Sequence, residues 1–168
     1  MKLIFLGPPG AGKGTLAGLV SKEIGVPQIS TGDIFREAIK RGTELGKKVK
    51  EIVGRGDLVP DELTVSLVRE RLAEPDAAKG YILDGFPRTI PQAAALEKFQ
   101  TLDAVVNFTI GDDVVVQRLS GREICKTCGA IYHVTNMPAK VKGICDTCGG
   151  PLYTRPDDSI ESITNRLE

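Results

Sequence analysis

The sequence predicts an α/β fold in which a parallel β-sheet carries helices on both faces and is interrupted by two inserts. Three observations lead to it. Short apolar runs at 2–6, 81–84 and 104–110 are each followed by a stretch with helical spacing, and no hairpin signal joins them, which implies right-handed crossovers between parallel strands. A glycine-rich turn, Gly7-Pro8-Pro9-Gly10-Ala11-Gly12-Lys13-Gly14-Thr15, lies between the first apolar run and the first amphipathic stretch. Residues 122–156 are rich in Gly, Pro and Cys and poor in helical periodicity, yet lie between two helical stretches.

In chain order, Lys2 to Leu6 is short, apolar and ends in glycine, as a buried parallel strand should. Leu16, Leu19, Val20 and Ile24 then recur at helical spacing, so a helix begins near Lys13 and stops at Gly25. Pro27 to Ser30 forms a second strand. Ile34, Phe35, Ala38 and Ile39 make a helical stripe that Asp33 is expected to cap, and Leu45, Val49, Ile52 and Val53 make another. Pro60 opens a helix with Asp61 and Glu62 in its first turn and Leu63, Leu67, Val68 and Leu72 on one face. Tyr81 to Asp84 is a buried strand ending in a carboxylate, and Pro91 suits the first turn of the next helix. Ala104 to Ile110 is a further strand. A helix capped by Asp112 turns Val115 and Leu119 inward and breaks at Gly121, and a last helix places Ile160, Ile163 and Leu167 on one face.

A strand feeding a helix through glycines leaves several backbone N–H groups in one concavity at the positive end of the helix, which is a phosphate site. Gly7, Gly12 and Lys13 satisfy G-x-x-x-x-G-K, with Lys13 placed to reach the outer phosphates of a nucleotide. Ser or Thr usually follows that lysine. Here Gly14 intervenes, so Thr15 is the candidate for the Mg²⁺-side hydroxyl. Ligands in open parallel sheets sit beyond the strand C-termini, where Gly7, Asp84 and their loops are expected to meet.

Composition narrows the class. The 168 residues, 41% of them apolar, suffice for one α/β core with a small insert or two. The 22 basic and 22 acidic residues cancel, so nothing draws the chain globally to nucleic acid or an acidic membrane. The N-terminus reads as a core strand rather than a cleavable leader, and no apolar run approaches the roughly 18 residues a membrane span needs. A cytoplasmic location is expected. Two Cys-x-x-Cys pairs, Cys125/Cys128 and Cys145/Cys148, are separated by 16 residues, a spacing that suits a structural four-thiolate Zn²⁺ site; four metal-free buried thiols are the alternative. His133 is redundant as a ligand beside four sulfurs, and either makes a hydrogen bond within the insert or faces nucleotide.

The residues Gly7 to Thr15, Ser30-Thr31-Gly32-Asp33, Asp84-Gly85-Phe86-Pro87-Arg88-Thr89 with Gln92, Arg118 to Arg122, and Arg155-Pro156-Asp157-Asp158 with Arg166 together resemble the nucleoside monophosphate kinases, specifically bacterial adenylate kinases with a zinc-bearing lid. The resemblance spans the chain. It implies a discontinuous core (1–29, 60–120 and 159–168), a helical monophosphate-binding insert (30–59) and a zinc-ribbon-like lid (121–158). It also implies reversible in-line transfer of the terminal phosphoryl group of Mg²⁺-bound ATP to AMP, giving two ADP.

By the same resemblance, Gly10, Ala11, Gly12, Lys13, Gly14, Thr15, Arg118 and Arg122 bind ATP, with Arg118 on the adenine. Thr31, Arg36, Leu58, Val59, Gly85, Phe86, Arg88, Gln92, Arg155 and Arg166 bind AMP; Phe86 is either a wall for the base or plain core. Lys13, Arg88, Arg122, Arg155 and Arg166 are catalytic, Asp84 and Thr15 organise Mg²⁺, and Asp157 and Asp158 help to close the lid. Guanidinium groups suit the task because the transfer gathers negative charge on two mutually repelling substrates. The alternatives are a kinase for UMP or CMP, or an impaired nucleotide- and zinc-binding form. The family continues past the helix holding Arg166 with another strand and a final helix, so the expectation is an apparently truncated core with an exposed sheet edge, reduced stability and a tendency to associate, where a complete chain would be monomeric.

Overall fold

A computed structural model describes residues 1–167 as two compact units. The first comprises Met1–Val53 and Leu58–Thr109. Its sheet contains β1 (Lys2–Leu6), β2 (Gln28–Ser30), β3 (Tyr81–Asp84) and β4 (Ala104–Asn107), all parallel, in the order β2-β3-β1-β4. Alternation along the strands divides the core. Leu3, Phe5 and Ile82 pack on one face with Ala17 of α1 (Lys13–Ile24), while Ile4, Tyr81 and Leu83 pack on the other with Val68 of α4 (Asp61–Leu72) and Leu96 of α5 (Ile90–Glu97). Between β2 and α4 lie α2 (Thr31–Lys40) and α3 (Glu44–Arg55), joined to the start of α4 through Phe35, Val49 and Val59.

The leucine stripe of α1 lies at the surface: Leu16, Leu19 and Ile24 are exposed, Leu19 by 62%. The face α1 presents to the sheet is the small one: a Cβ on Gly14 would come within 3.2 Å of Asp84 Oδ2, one on Gly18 within 3.4 Å of Gln28 Oε1, and Ala17 is wholly buried. Small residues at helical spacing let the helix sit closer to the strands than leucines would allow. The cap of α2 is Ser30, whose hydroxyl accepts from the Asp33 N–H at 3.3 Å; Asp33 itself pairs with Arg36. The β4 strand ends at Asn107 rather than Ile110, and all four of its residues are exposed, Val105 by 52%. Among the described residues β4 is an edge strand of the sheet.

Gly7 ends β1 at φ +129°, and a Cβ there would overlap the carbonyl oxygen of Phe108. Gly7→Ala is expected to destabilise the fold by about 2 kcal/mol or more, read as a lower urea midpoint at unchanged m-value.

The second unit comprises Gly54–Asp57 and Ile110–Glu168, of which Glu168, included in the predicted core segment, lies outside the described residues. Val115 and Leu119 of α6 (Asp112–Ser120) are buried as expected, against Ile163 of α7 (Ile160–Asn165) and half-buried Leu167; Ile160 is instead exposed. Gly111, not Asp112, occupies the cap position of α6. Within this unit, Ser162 Oγ of α7 donates to the Gly54 carbonyl at 3.0 Å. β5 (Arg122–Cys125), β6 (Ile131–His133) and β7 (Leu152–Tyr153) form an antiparallel ribbon in the order β6-β5-β7. Among the described residues no helix is long and apolar enough to cross a membrane.

Candidate active site and metal centre

In the first unit β1 and β3 are hydrogen-bonded neighbours with Phe5 opposite Asp84, so the loops that follow them leave the same end of the sheet side by side. The loop after β1 takes φ values of +74° at Gly10 and +97° at Gly12, and Gly12 has no side chain with which to cap α1. Lys13 folds back so that Nζ donates to the carbonyls of Gly7 and Pro8, each at 2.7 Å. Thr15 is exposed on the first turn of α1. The glycine between Lys13 and Thr15 has a steric cause: any side chain at position 14 would press on the Asp84 carboxylate.

Burial pushes the Asp84 carboxyl above the usual aspartate range and Asp33 adds to it, while Lys13, a hydrogen bond from Gln28 and Arg88 pull it back. A carboxyl that keeps its proton longer in the folded state than in the unfolded chain costs stability as pH rises from its unfolded value through its folded one. Asp84→Asn is therefore expected to flatten that acid-side dependence and raise the melting midpoint at pH 7 by about 2 °C. Turnover with Mg²⁺ should fall about tenfold or more. Gln28 was not singled out from sequence; its Nε2 lies 3.3 Å from the Gly14 carbonyl and 3.4 Å from Asp84 Oδ2, long contacts that only the fold reveals.

The loop after β3 builds a continuous network. The Gly85 carbonyl accepts from buried Thr31 Oγ1 at 2.9 Å and from Arg88 Nε at 2.7 Å. Gln92, 1% exposed, accepts the Arg88 backbone N–H on Oε1 at 2.8 Å and donates from Nε2 to Asp61 Oδ1 at 2.7 Å. The peptide between Phe86 and Pro87 is cis, and Phe86 is fully buried in the core rather than lining an open surface. Arg36 ion-pairs with Asp33 at 2.7 Å. Leu58 is exposed, and the Val59 carbonyl accepts from Thr64 Oγ1 at 3.3 Å.

In the second unit Arg122 grips Asp158 with both Nε and a terminal nitrogen, at 2.8 and 2.6 Å. Arg166 bonds the Asp157 carbonyl at 3.1 Å and its carboxylate at 3.3 Å, with Asp158 at 3.8 Å. Arg155 precedes the short 3-10 turn 156–158 that carries both aspartates, and Arg118 is exposed on α6. His133 belongs to the insert's own hydrogen bonding: Nδ1 accepts from the N–H groups of Thr135 and Asn136, so Nε2 carries the proton and donates to the Gln117 carbonyl at 2.9 Å.

The four cysteine sulfurs lie within 4.8 Å of one another, with 3.4 Å between Cys125 and Cys148 and 3.5 Å between Cys128 and Cys145. Those spacings are too long for disulfides and close to the ~3.8 Å between sulfurs around a tetrahedral zinc. Supporting donors are in place: the Thr127 N–H reaches Cys125 Sγ at 3.4 Å, and the Tyr132 hydroxyl, which accepts the Asp146 N–H, lies 3.4 Å from Cys145 Sγ. The Tyr132 hydrogen bond is the main cause that holds the Cys145 thiol down to about 6. The donor set fits a thiophilic ion.

A family model described as Adenylate kinase matches residues 5–168. The chain is 59% identical over 168 residues to an adenylate kinase of Treponema denticola and 54% identical over 173 residues to one of Carboxydothermus hydrogenoformans, in both cases along its full length and over 80% and 81% of the relative. An adenylate kinase of Archaeoglobus fulgidus is 53% identical over 171 residues, covering 99% of this chain and 79% of the relative. A match over nearly the whole sequence, running through the phosphate loop, the Arg88 loop and the cysteine ribbon alike, means that the chain belongs to the adenylate kinase family.

Proposed function

We propose that this chain transfers the terminal phosphoryl group of ATP to AMP, reversibly and in line, through the residues assembled at the ends of β1 and β3. The observation that carries the proposal is the neighbouring emergence of two anion grips: the glycine loop with Lys13 after β1, and the Arg88 loop, braced by Gly85 and Gln92, after β3. An AMP phosphate oxygen forms the new bond to the γ-phosphorus as the bond to the β,γ-bridging oxygen breaks, and ADP leaves on each side. No covalent enzyme intermediate intervenes. Catalysis then consists of positioning and of charge held ready, since the transition state spreads its charge over the transferred oxygens.

Lys13 and the N–H groups around Gly10 to Thr15 take the ATP phosphates, with Arg118 on the adenine. Arg36 and Arg88 hold the AMP phosphate, Thr31, Gly85, Gln92 and the backbone at Leu58 and Val59 read its base, and Phe86 supports that wall from the core. Arg122, Arg155 and Arg166 supply positive charge to the transferred group. Asp84 and Thr15 would hold Mg²⁺ through its water shell, where the ion neutralises phosphate charge. Cys125, Cys128, Cys145 and Cys148 would hold a structural Zn²⁺, four thiolates leaving no position for water. By function the chain divides into the core (1–29, 60–120, 159–168), the AMP insert (30–59) and the lid (121–158), a different cut from the one compactness makes. Thiols gathered for metal rather than paired as disulfides support a cytoplasmic location.

A coupled assay for ADP from ATP, Mg²⁺ and each of AMP, CMP, UMP and GMP tests the proposal. Turnover with AMP in preference to the others is expected. A preference for CMP or UMP would replace AMP as the substrate, and nucleotide binding without turnover would leave a binding protein.

A further inference from the structure

We infer that Asp61 is a specificity-determining positioning residue: it sets which way the Gln92 amide faces, and thereby which purine monophosphate the site accepts. The inference rests on the reading of Gln92 as a base-contacting residue. From sequence, Asp61 is only an acid in the first turn of α4, yet in the fold its Oδ1 takes the Gln92 Nε2 hydrogen at 2.7 Å, across 31 residues of chain.

A glutamine amide has two nearly isosteric orientations that differ in which end donates. Here both ends meet a partner of one sign only. Asp61 Oδ1 accepts at 2.7 Å, as a carboxylate oxygen does, and the Arg88 backbone N–H, 2.8 Å from Oε1, can only donate. Turning the amide over would set its oxygen against a carboxylate and its NH₂ against an N–H, losing two hydrogen bonds and creating two repulsions inside a site where Gln92 is 1% exposed. Of the two clamps, the backbone N–H belongs to every residue except proline. Asp61 is the one supplied by residue choice.

The orientation matters because each end of the amide keeps capacity for one more bond, an N–H on Nε2 and a lone pair on Oε1. A base meeting that pair must offer an acceptor to the first and a donor to the second. Adenine offers N1 and its 6-amino group in that relation. Guanine offers the reverse at that edge, an N1–H donor beside the O6 acceptor, so the edge pairs only with the inverted amide. Shape can act on guanine's additional 2-amino group; the donor–acceptor choice at N1 and position 6 is the part that Asp61 sets.

The test compares wild type, Asp61→Asn and Asp61→Glu as the full chain, measuring kcat and KM for AMP and for GMP. Asparagine can accept or donate, so it no longer penalises the inverted amide, whereas glutamate keeps an acceptor-only group. For Asp61→Asn the AMP:GMP ratio of kcat/KM is expected to fall about tenfold, the change lying in KM, and Asp61→Glu should recover most of the ratio. An unchanged ratio in active Asp61→Asn overturns the assignment and leaves the AMP kinase proposal standing; a wild type that turns over neither purine overturns both. In the wild type, the Gln92 side-chain N–H protons should exchange with solvent far more slowly than those of an exposed glutamine. Exchange as fast as at an exposed glutamine would also overturn it, whatever the variants' folding.

Discussion

Arg88→Ala is expected to lower kcat by about 10²–10³ while leaving the melting midpoint nearly unchanged. The side chain is exposed and contributes no core packing, so its removal costs the fold little. Its value lies in the geometry that holds it. Nε is tied to the Gly85 carbonyl at 2.7 Å and the backbone N–H to Gln92 at 2.8 Å, so the guanidinium starts from a braced base. Preorganisation of this kind spares reorganisation when charge develops. Arg88→Lys should recover less than a tenth of the loss, because an ammonium cannot make the two parallel bonds that a guanidinium makes to a phosphate. Single-turnover rates at saturating ATP and AMP, together with calorimetric unfolding, separate the two effects. A kcat within threefold of wild type would remove Arg88 from the catalytic set.

Removing the metal from the cysteine ribbon is expected to unfold residues 122–153 while the first unit keeps its structure. The ribbon's buried apolar cluster contains Cys125, Tyr132 and Cys145, so two of its three members are themselves candidate ligands; Ala130, Ala139 and Leu152 pack around them half-buried, and Ile124 of β5 is buried too. Val134, Met137, Val141 and Ile144 lie exposed. Against roughly 1–2 kcal/mol of backbone entropy per ordered residue, that cluster is far too small, whereas structural zinc supplies about 10–16 kcal/mol. Metal analysis should find one zinc per chain. After chelation, amide signals from the ribbon should collapse towards random-coil positions and return when zinc is restored; Cys145→Ser should reproduce the collapse without chelator. Dispersed ribbon signals in fully stripped protein would refute the structural role.

Much of the fold was legible because local and tertiary signals agree. The strand at 81–84 and the inward residues Val115 and Leu119 emerge as expected, since periodicity and burial coincide there. The bounds of α1 were legible but its packed face was not, because spacing alone cannot tell a leucine face from a glycine–alanine face that packs closer; the signal was Gly14, Ala17, Gly18 and Ser21 at helical intervals. The caps at Asp33 and Asp112 failed by choosing an acid where a neighbouring residue, Ser30 or Gly111, already held the cap position. Of the site, single residues with motif neighbours were visible, and their partners were not. Asp61 to Gln92, and Thr31 to the Gly85 carbonyl, are contacts made by the fold with no spacing to announce them.

The pairing of Arg122 and Arg166 with Asp158 and Asp157 has a kinetic meaning on the proposed function. An arginine that already holds a carboxylate can take a phosphate only by exchanging one anion for another, so what the ligand gains is a difference rather than the whole of a charged contact. The aspartates act as internal competitors. They reclaim the guanidinium groups as soon as the phosphoryl has moved, and they keep two cations from facing each other bare in between. A reversible enzyme that must release two highly charged products is served by grips that are strong in direction and shallow in depth, and the buried carboxylates set that depth.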